Sequence, residues 1–387
     1  MKTLRSGRNR RKWIYVLLLM GLLGLSGCGS PSSASVEMSS QTELVKTGSM
    51  ELQYAENFAV DYYEDGYKML TTLPDSKRYL LVPEGQPVPR GLDEDVSILQ
   101  EPLQNIYLVA SGVMDMFASL DAVGQIRFSG QKQENWYIQT AKDAMEAGTM
   151  IYAGKYSKPD YELLVSEGCD LAIENRMITH SPEVVEMLQS FDIPVMIEYS
   201  SYEQHPLGKV EWVKFFGALT GKEAEAEEAF AEQTEILEEV ESGEKTGKTI
   251  AFFYVTSNGL IQVRQSTDYI PKLIELAGGR YIFENLEDSG SGRSTLNMQV
   301  EDFYAGARDA DILIYNSSID GGVTTVDELI DKCNILKDFK AVQEGQVYCT
   351  TNDMYQQSMA IGYLLQDMHT VLMDDDTAKL RYLFLLQ

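Results

Sequence analysis

The stretch PDYELLVSEGCDLAIENRMITHSPEVVEMLQSFDIPVMIEY, residues 159–199, alternates helix-patterned and strand-patterned segments twice. Amphipathic segments near 160–167 and 182–190 each lead into a short apolar run, DLAIEN at 170–175 and PVMIEY at 194–199. Short apolar runs separated by helices are typical of parallel strands that are covered on both faces. The stretch therefore predicts βαβ units and an α/β fold.

The same alternation extends toward the N-terminus. The run IYLVAS at 106–111 is followed by IRFSG and MIYAG, with helix-patterned segments near 113–121 and 137–147 between them. Before these runs, Tyr-rich and β-prone stretches flank the turn dipeptide Asp65-Gly66, which predicts a hairpin. Residues 52–205 are therefore predicted to form an N-terminal α/β lobe with an opening β-hairpin.

The second half of the chain begins with the pattern of one long helix over residues 206–247, in which Gly217 and Gly221 are positions where it can break in two. The strand and helix alternation then resumes with TIAFFYV at 249–255. Residues 248–387 are predicted to form a second α/β lobe. The predicted fold class is α/β: two lobes with mainly parallel sheets flanked by helices, joined by one long interlobe helix.

The N-terminus has the features of an export signal. Six Lys or Arg residues precede an apolar run from Ile14 to Leu25, and no acidic residue occurs before Glu37. The run ends in Leu25-Ser26-Gly27-Cys28, which resembles the lipobox of bacterial lipoproteins. We predict a signal peptide over 1–27, lipidation of Cys28 and a Ser-rich flexible tether over 28–51. An uncleaved anchor helix is the alternative, although about a dozen apolar residues are short for a ~30 Å hydrocarbon core.

Composition argues against several function classes. The chain of 387 residues has a formal net charge of −27, which repels a phosphate backbone and argues against nucleic-acid binding. The histidines His180, His205 and His369 lie in separate segments without ligand spacing, so neither a metal site nor the usual catalytic triad is predicted. The segment from Gly243 to Thr249 has three residues between its glycines where a P-loop needs four.

Taken together, the lipobox, the two α/β lobes and the long connecting helix resemble the extracytoplasmic substrate-binding lipoproteins of bacterial ABC importers. The resemblance is greatest to class III, whose members bind iron–siderophore complexes, haem or cobalamin. It is strongest in residues 159–173, 205–212 and 300–314. It implies a monomeric receptor without enzymatic activity, anchored through Cys28 to the cell membrane, at the cell surface or in the periplasm.

The resemblance also implies what the receptor works with. We expect it to capture a small molecule between the lobes, a ferric siderophore or another iron chelate such as haem, and to deliver it to an ABC permease and its ATPase. No cofactor is expected, and iron is expected only as part of a bound chelate. Lobe closure on binding is expected to be small because the connecting helix is stiff.

In this family an exposed Glu on each lobe docks onto arginines of the permease. The matching positions are Glu162 and Glu301, each at the start of a predicted helix. A carboxylate in a first helical turn is favoured by the helix dipole and can accept an Arg in a bidentate manner. The alternative is that both are ordinary acids at helix N-termini.

Candidate ligand contacts follow from the predicted sheets. Ligands of open α/β sheets bind outside the carboxyl ends of the strands, and in a two-lobed protein these edges face each other across a cleft. Aromatic rings together with Arg or Lys suit a flat or anionic ligand, while ordinary packing is the alternative for each residue. The candidates are Arg127, Trp136, Tyr137, Tyr152, Lys155, Tyr156, Arg176, Tyr199 and Tyr202 in lobe one, and Arg264, Arg293, Asn316 and Tyr355 in lobe two.

Two other functions remain compatible with the sequence, because a fold does not fix an activity. A lipid-anchored enzyme of the α/β hydrolase type would need a nucleophile and a base, or clustered carboxylates, in the cleft. A non-transporting signalling lipoprotein with the same fold would have a cleft without converging Arg and Tyr side chains.

Overall fold

The computed structural model describes residues 44–286, 294–317, 322–375 and 379–387. The predicted signal peptide, Cys28 and Arg293 lie outside these ranges. Among the described residues, none of the helices combines the length and the apolar character that a bilayer span requires.

A five-stranded sheet opens the described chain. Its strands are β1 (Lys46–Ser49), β2 (Phe58–Tyr63), β3 (Lys68–Thr72), β4 (Lys77–Val82) and β5 (Val96–Gln100). Neighbouring strands follow the chain order; β4 and β5 pair in parallel and the other pairs are antiparallel. The predicted hairpin is thus the centre of a larger sheet.

The predicted tether extends too far toward the C-terminus, because Lys46–Ser49 are part of this sheet. The Lys46 ammonium lies 2.7 Å from Asp61, and the Ser49 hydroxyl also donates to Asp61 at 2.7 Å. These side-chain contacts fasten the short polar strand β1 to β2.

Lobe one continues with a parallel sheet in the order β12-β11-β6-β7-β8. Four helices connect or follow its strands, as the alternating sequence pattern predicts. A two-stranded antiparallel hairpin, β9 (Gly154–Lys155) with β10 (Lys158–Pro159), follows β8. The strands are β6 (Ile106–Leu108), β7 (Ile126–Ser129), β8 (Ile151–Tyr152), β11 (Leu171–Asn175) and β12 (Val195–Glu198). The helices are α1 (Val113–Ser119), α2 (Gln139–Glu146), α3 (Tyr161–Ser166) and α4 (Pro182–Ser190).

The predicted connecting helix consists of two helices, α5 (Pro206–Thr220) and α6 (Glu223–Glu241). The break lies at Gly221, whose φ of 71° is a left-handed conformation that favours glycine and ends α5. Gly217 remains helical, and a Cβ there would lie 2.6 Å from the Cβ of Ala226, so the two helices pack closely at this point. Helix α5 contacts elements of both lobes, including α1 and α7 (Tyr269–Leu276).

Lobe two has a seven-stranded mixed sheet. Its central strands β13, β17 and β18 are parallel, while β14, β16 and β19 pair antiparallel at its edges and β15 pairs with β13. The strands are β13 (Thr249–Val255), β14 (Ile261–Arg264), β15 (Arg280–Tyr281), β16 (Thr295–Met298), β17 (Ile312–Tyr315), β18 (Val347–Thr350) and β19 (Leu383–Leu385). Besides α7, the helices are α8 (Val300–Ala307), α9 (Val326–Lys332), α10 (Lys340–Gln343) and α11 (Ile361–Leu372).

One apolar core joins the first sheet and both lobes around α5. Leu70 from β3, Leu108 from β6, Phe216 from α5 and Phe252 from β13 belong to the same cluster of buried side chains. Most residues of α5 are apolar on every side of the helix, and only the last of its fifteen residues lies outside its buried set. The shared core limits how far the lobes can move apart.

Two buried carboxylates hold the segment before β2 against α5. The Glu211 carboxylate accepts hydrogen bonds from the backbone N–H groups of Gln53, Tyr54 and Ala55 at 2.8–3.1 Å. The Glu203 carboxylate accepts from two further backbone N–H groups, at 2.9 and 3.0 Å, and from the indole of Trp212 at 2.9 Å. Glu203 directly follows the loop after β12, so the first sheet is tied to a segment that borders the site described next.

Candidate functional site

A cavity of about 290 Å³ lies between the lobes, and we call it the interlobe cavity. Strands β6, β11 and β12 are parallel neighbours, so the residues after their carboxyl ends meet on one side of it. Helix α5 contributes Lys209, and lobe two contributes residues that follow β18. The lining residues are Ala110, Ser111, Gly112, Asn175, Arg176, Met177, Glu198, Ser200, Ser201, Tyr202, Lys209, Tyr355 and Ser358.

Arg176 and Tyr202 form the cation–aromatic part of the lobe-one wall. The guanidinium carbon of Arg176 lies 4.5 Å from the centroid of the Tyr202 ring. The loop that carries Arg176 is shaped by Asn175, whose side-chain oxygen accepts from the backbone N–H of Met177 at 2.9 Å. Tyr199 lies behind Tyr202, with their ring centroids 6.5 Å apart in an edge arrangement. The wall therefore presents a positive charge and an aromatic face together.

Tyr355 is the aromatic residue of the lobe-two wall, and two buried residues hold it. The Asn316 side-chain N–H donates to the Tyr355 hydroxyl at 2.7 Å. The guanidinium carbon of Arg264 lies 5.5 Å from the Tyr355 ring centroid, and Arg264 also pairs with Asp268 at 3.4 Å. Asn316 and Arg264 do not line the cavity, and their contacts help to fix the position of Tyr355.

Glu198 is a buried carboxylate at the end of β12. Its Oε2 accepts from the backbone N–H of Ser200 at 2.8 Å and from the Ser200 hydroxyl at 2.5 Å. Burial raises the pKa of Glu198, while the Ser200 hydrogen bonds and the charge of Lys209 act in the opposite direction. The hydrogen bonds shape the turn that places Ser200 and Tyr202 at the cavity.

The lobes touch each other beside the cavity. A Cβ added to Gly112 would lie 2.8 Å from the Ser358 hydroxyl, so this approach needs glycine. The backbone N–H of Met359 donates to Asp115 at 2.7 Å, and burial raises the pKa of Asp115 to about 6. The Gln356 side chain makes two hydrogen bonds across the lobes, accepting from the Tyr137 N–H and donating to the Asn135 carbonyl, both at 2.8 Å.

Among the residues predicted from the sequence, Arg176, Tyr202 and Tyr355 lie together in the interlobe cavity. Tyr199, Arg264 and Asn316 lie directly behind them. Glu162 and Glu301 are both exposed, in the first turns of α3 and α8. Arg293 lies outside the described residues.

Arg127 does not belong to this site. It was expected to follow a strand, but it is the second residue of β7 and therefore lies away from the carboxyl edge. Its guanidinium pairs with Glu167 at 2.8 Å and donates to the carbonyls of Gly148 and Thr149 at 2.9 and 3.0 Å. Arg127 therefore links segments within lobe one.

The other predicted aromatic and lysine side chains of lobe one also lie outside the cavity lining. Trp136 is buried, and its indole N–H donates to the Ser129 hydroxyl at 3.1 Å, so it is a core residue. Tyr137 and Tyr152 are exposed side chains. Lys155 and Tyr156 belong to the β9–β10 hairpin, and Tyr156 packs on an apolar cluster of the lobe.

Sequence reasoning missed Lys209, Glu198 and the small residues Ser111 and Gly112. Ser111 and Gly112 directly follow the strand pattern IYLVA. The expectation that ligand contacts follow the carboxyl ends of strands covers them, but only aromatic, charged and amide residues were selected as candidates. Lys209 lies in a helix, so it does not follow the carboxyl end of a strand. Its signal is a lysine within the otherwise apolar start of α5. Among the described residues, no group of three or more His, Cys, Asp or Glu side chains is arranged to hold a metal ion.

Comparison with known proteins identifies the family of this chain and proteins with a similar fold. The model of the family described as periplasmic binding protein matches residues 111–354, a range that begins after the first sheet. An uncharacterized lipoprotein of Methanocaldococcus jannaschii is 24% identical over 394 residues, covering 93% of this chain and 92% of its own length. A second uncharacterized lipoprotein of the same organism is 23% identical over 371 residues, covering 89% of this chain and 90% of its own length.

Solved structures with a similar fold include a periplasmic haem-binding protein of Vibrio cholerae, with a TM-score of 0.55 and 14% identity. The match covers 69% of this chain and 98% of that one. An ABC-type Fe3+-hydroxamate transport system protein of Saccharomonospora viridis has a TM-score of 0.54 and 16% identity, covering 70% of this chain and 93% of that one. At such identities these structures establish the fold.

Proposed function

Because the chain belongs to the periplasmic binding protein family, we propose that it is a lipid-anchored receptor that captures an iron chelate in the interlobe cavity and delivers it to an ABC permease. The observation that carries the proposal is the pairing of Arg176 with Tyr202 opposite Tyr355, at the carboxyl ends of the strands. A cation and aromatic rings that converge from two lobes suit a flat or anionic ligand.

Iron chelates are favoured by the names of the structural neighbours. One of them is a haem-binding protein and another belongs to an Fe3+-hydroxamate transport system. Haem carries carboxylates and a flat ring, and ferric chelates present oxygen atoms around the metal. Both kinds of molecule offer partners for a guanidinium and for tyrosine rings.

A location outside the cytoplasm is supported by the same family and by the lipoprotein names of the Methanocaldococcus jannaschii relatives. We propose that Cys28 carries the lipid and that the Ser-rich segment after it spaces the lobes from the membrane. Cys28→Ala should release the protein from the membrane fraction. Retention of that variant in washed membranes would contradict lipid anchoring at this residue.

Solute binding, rather than catalysis or signalling, fits the family and the cavity best. Family members bind solutes, and Arg and Tyr side chains converge in the cavity, which is the feature that a non-transporting lipoprotein would lack. Delivery to a permease requires docking, for which we propose the exposed Glu162 and Glu301. Reversing both charges should reduce uptake without changing ligand affinity, because neither residue lines the cavity.

Thermal melting with a panel of ferric siderophores, haem and cobalamin tests the proposed ligand class. At least one iron chelate should raise the melting temperature of the wild-type protein. Arg176→Ala should weaken that effect, whereas Arg90→Ala, an exposed arginine of the loop before β5, should leave it unchanged. The proposal fails if no iron chelate shifts the melting temperature, or if the two variants respond alike.

A further inference from the structure

Helix α5 contains two buried lysines that differ in their surroundings. Lys209 is 5% exposed and Lys214 is 4% exposed. The Lys214 ammonium lies 2.9 Å from Glu227 and 3.6 Å from Glu211, so its charge is paired. Around the Lys209 ammonium, no carboxylate oxygen of the described chain lies within 4.0 Å. A buried charge is costly unless it is paired, so the position of Lys209 needs another explanation.

Lys209 lies where a ligand can reach it. It lines the interlobe cavity together with Arg176 and Tyr202. It also borders a smaller space of about 10 Å³, next to Tyr269, whose ring centroid is 4.8 Å from the Lys209 ammonium. Since α5 contacts both lobes, this lysine is held at the base of the cleft by the shared core rather than by either lobe alone.

Three carboxylates, two of them buried and the third, Asp115, half-buried, surround Lys209 at longer range, and each already has its own hydrogen-bond donor. Glu198 accepts from Ser200, Asp268 accepts from the backbone N–H of Ile270 at 3.0 Å, and Asp115 accepts from the Met359 N–H at 2.7 Å. The charge of Lys209 lowers the pKa of all three, against the larger effect of burial. Because these carboxylates are satisfied elsewhere, the ammonium keeps its capacity to bind an incoming anion.

We propose that Lys209 contacts a negatively charged group of the ligand and makes the cavity selective for anionic over neutral iron chelates. The inference rests on the proposed function and specifies its substrate class: a chelate that bears free carboxylates or a comparable net negative charge. Lys209 and Arg176 would then supply two cations from one side, while Tyr355 and Ser358 of lobe two supply neutral donors.

Calorimetric titration with two probes of different charge tests the inference. Ferric citrate is the anionic probe, and an uncharged ferric trihydroxamate is the neutral one. Lys209→Met should weaken ferric citrate binding by about 10- to 100-fold, the range for losing a hydrogen bond to a charged group. Its effect on the neutral probe should be much smaller. Lys214→Met is the matched control, since it removes an equally buried lysine from the same helix outside the cavity.

The outcomes separate the two proposals. If the wild type binds ferric citrate and Lys209→Met binds it equally well, the role of Lys209 is overturned and the receptor function stands. If the wild type binds the neutral probe at least as tightly as ferric citrate, the selectivity for anionic chelates is overturned without a variant, and the receptor function stands. A wild type that binds neither probe overturns the inference alone, because the receptor function is decided by the thermal-melting panel, which also contains haem. Lys209→Gln replaces the Met variant if the latter does not fold.

Discussion

We expect Glu174→Gln to stabilise the protein, by an amount that grows with pH. Glu174 is the fourth residue of β11 and precedes the two cavity residues Asn175 and Arg176. Its side chain is fully buried, and neither carboxyl oxygen has a hydrogen-bond partner among the described residues. It shares a face of β11 with Ala172, which belongs to an apolar cluster. Burial in these surroundings raises the pKa of Glu174 to about 8.

The size of the effect follows from the pKa of the Glu174 carboxyl in the unfolded chain and in the folded chain. The unfolded chain releases this proton near the usual pKa of 4.5, whereas the folded chain keeps it up to about 8. Between these values the folded state holds more protons, so stability falls as pH rises and levels off above about 8. Glu174 therefore lowers the free energy of unfolding by about 1 kcal/mol at pH 5.5 and by about 4 kcal/mol at pH 8. Gln replaces the protonated carboxyl with a neutral group of similar shape and removes this cost.

Urea unfolding at pH 5.5 and pH 8 measures the effect, since both values lie above the pI of about 4.5. Glu174→Gln should raise the free energy of unfolding at both, and by about 3 kcal/mol more at pH 8. Glu186→Gln, an exposed position on α4, is the control and should change little. Equal gains at the two pH values, or a loss at pH 8, would refute the assignment of a protonated, unpaired carboxyl to this site.

Three further substitutions probe the lobe contacts and the attachment of the first sheet. Gly112→Ala should weaken ligand binding about tenfold, because its methyl group meets the Ser358 hydroxyl. A second change, Ser358→Gly, relieves this clash but removes a hydroxyl that lines the cavity, so it should restore the affinity only in part; a calorimetric titration checks both. Gln356→Ala removes two hydrogen bonds between the lobes, about 1 kcal/mol each, and should speed hydrogen exchange of the Tyr137 amide. Glu211→Gln should lower the free energy of unfolding by about 3 kcal/mol, measured in urea, because an amide nitrogen would face backbone N–H groups.

The sequence pattern was sufficient to predict the α/β lobes and the place of the cavity, for a physical reason. Carboxyl ends of parallel strands meet at one edge, so Arg176 and Tyr202 could be placed together from the ends of two apolar runs. The same rule misplaced Arg127, because the run IRFS begins one residue before it and its strand boundary is not marked by a turn residue. Trp136 was misassigned because a buried aromatic residue and a cleft aromatic residue look alike in a sequence.

Long-range contacts explain what the pattern could not predict. Strand β1 is short and polar, and its pairing with β2 depends on Asp61, twelve residues beyond Ser49. Lys209 lies in a helix of mostly apolar sequence, and the packing of α5 between the lobes brings it to the cavity. The break at Gly221 was one of two candidate positions, and the other, Gly217, serves a different purpose: its missing side chain lets α6 approach closely at Ala226.

A crystal of the protein with the tightest-binding ferric chelate, measured at the iron absorption edge, locates the bound iron. Capture between the lobes predicts an anomalous iron peak in the space bounded by Arg176, Tyr202 and Tyr355. An iron position outside that space, or a chelate seated away from both lobes, would contradict it.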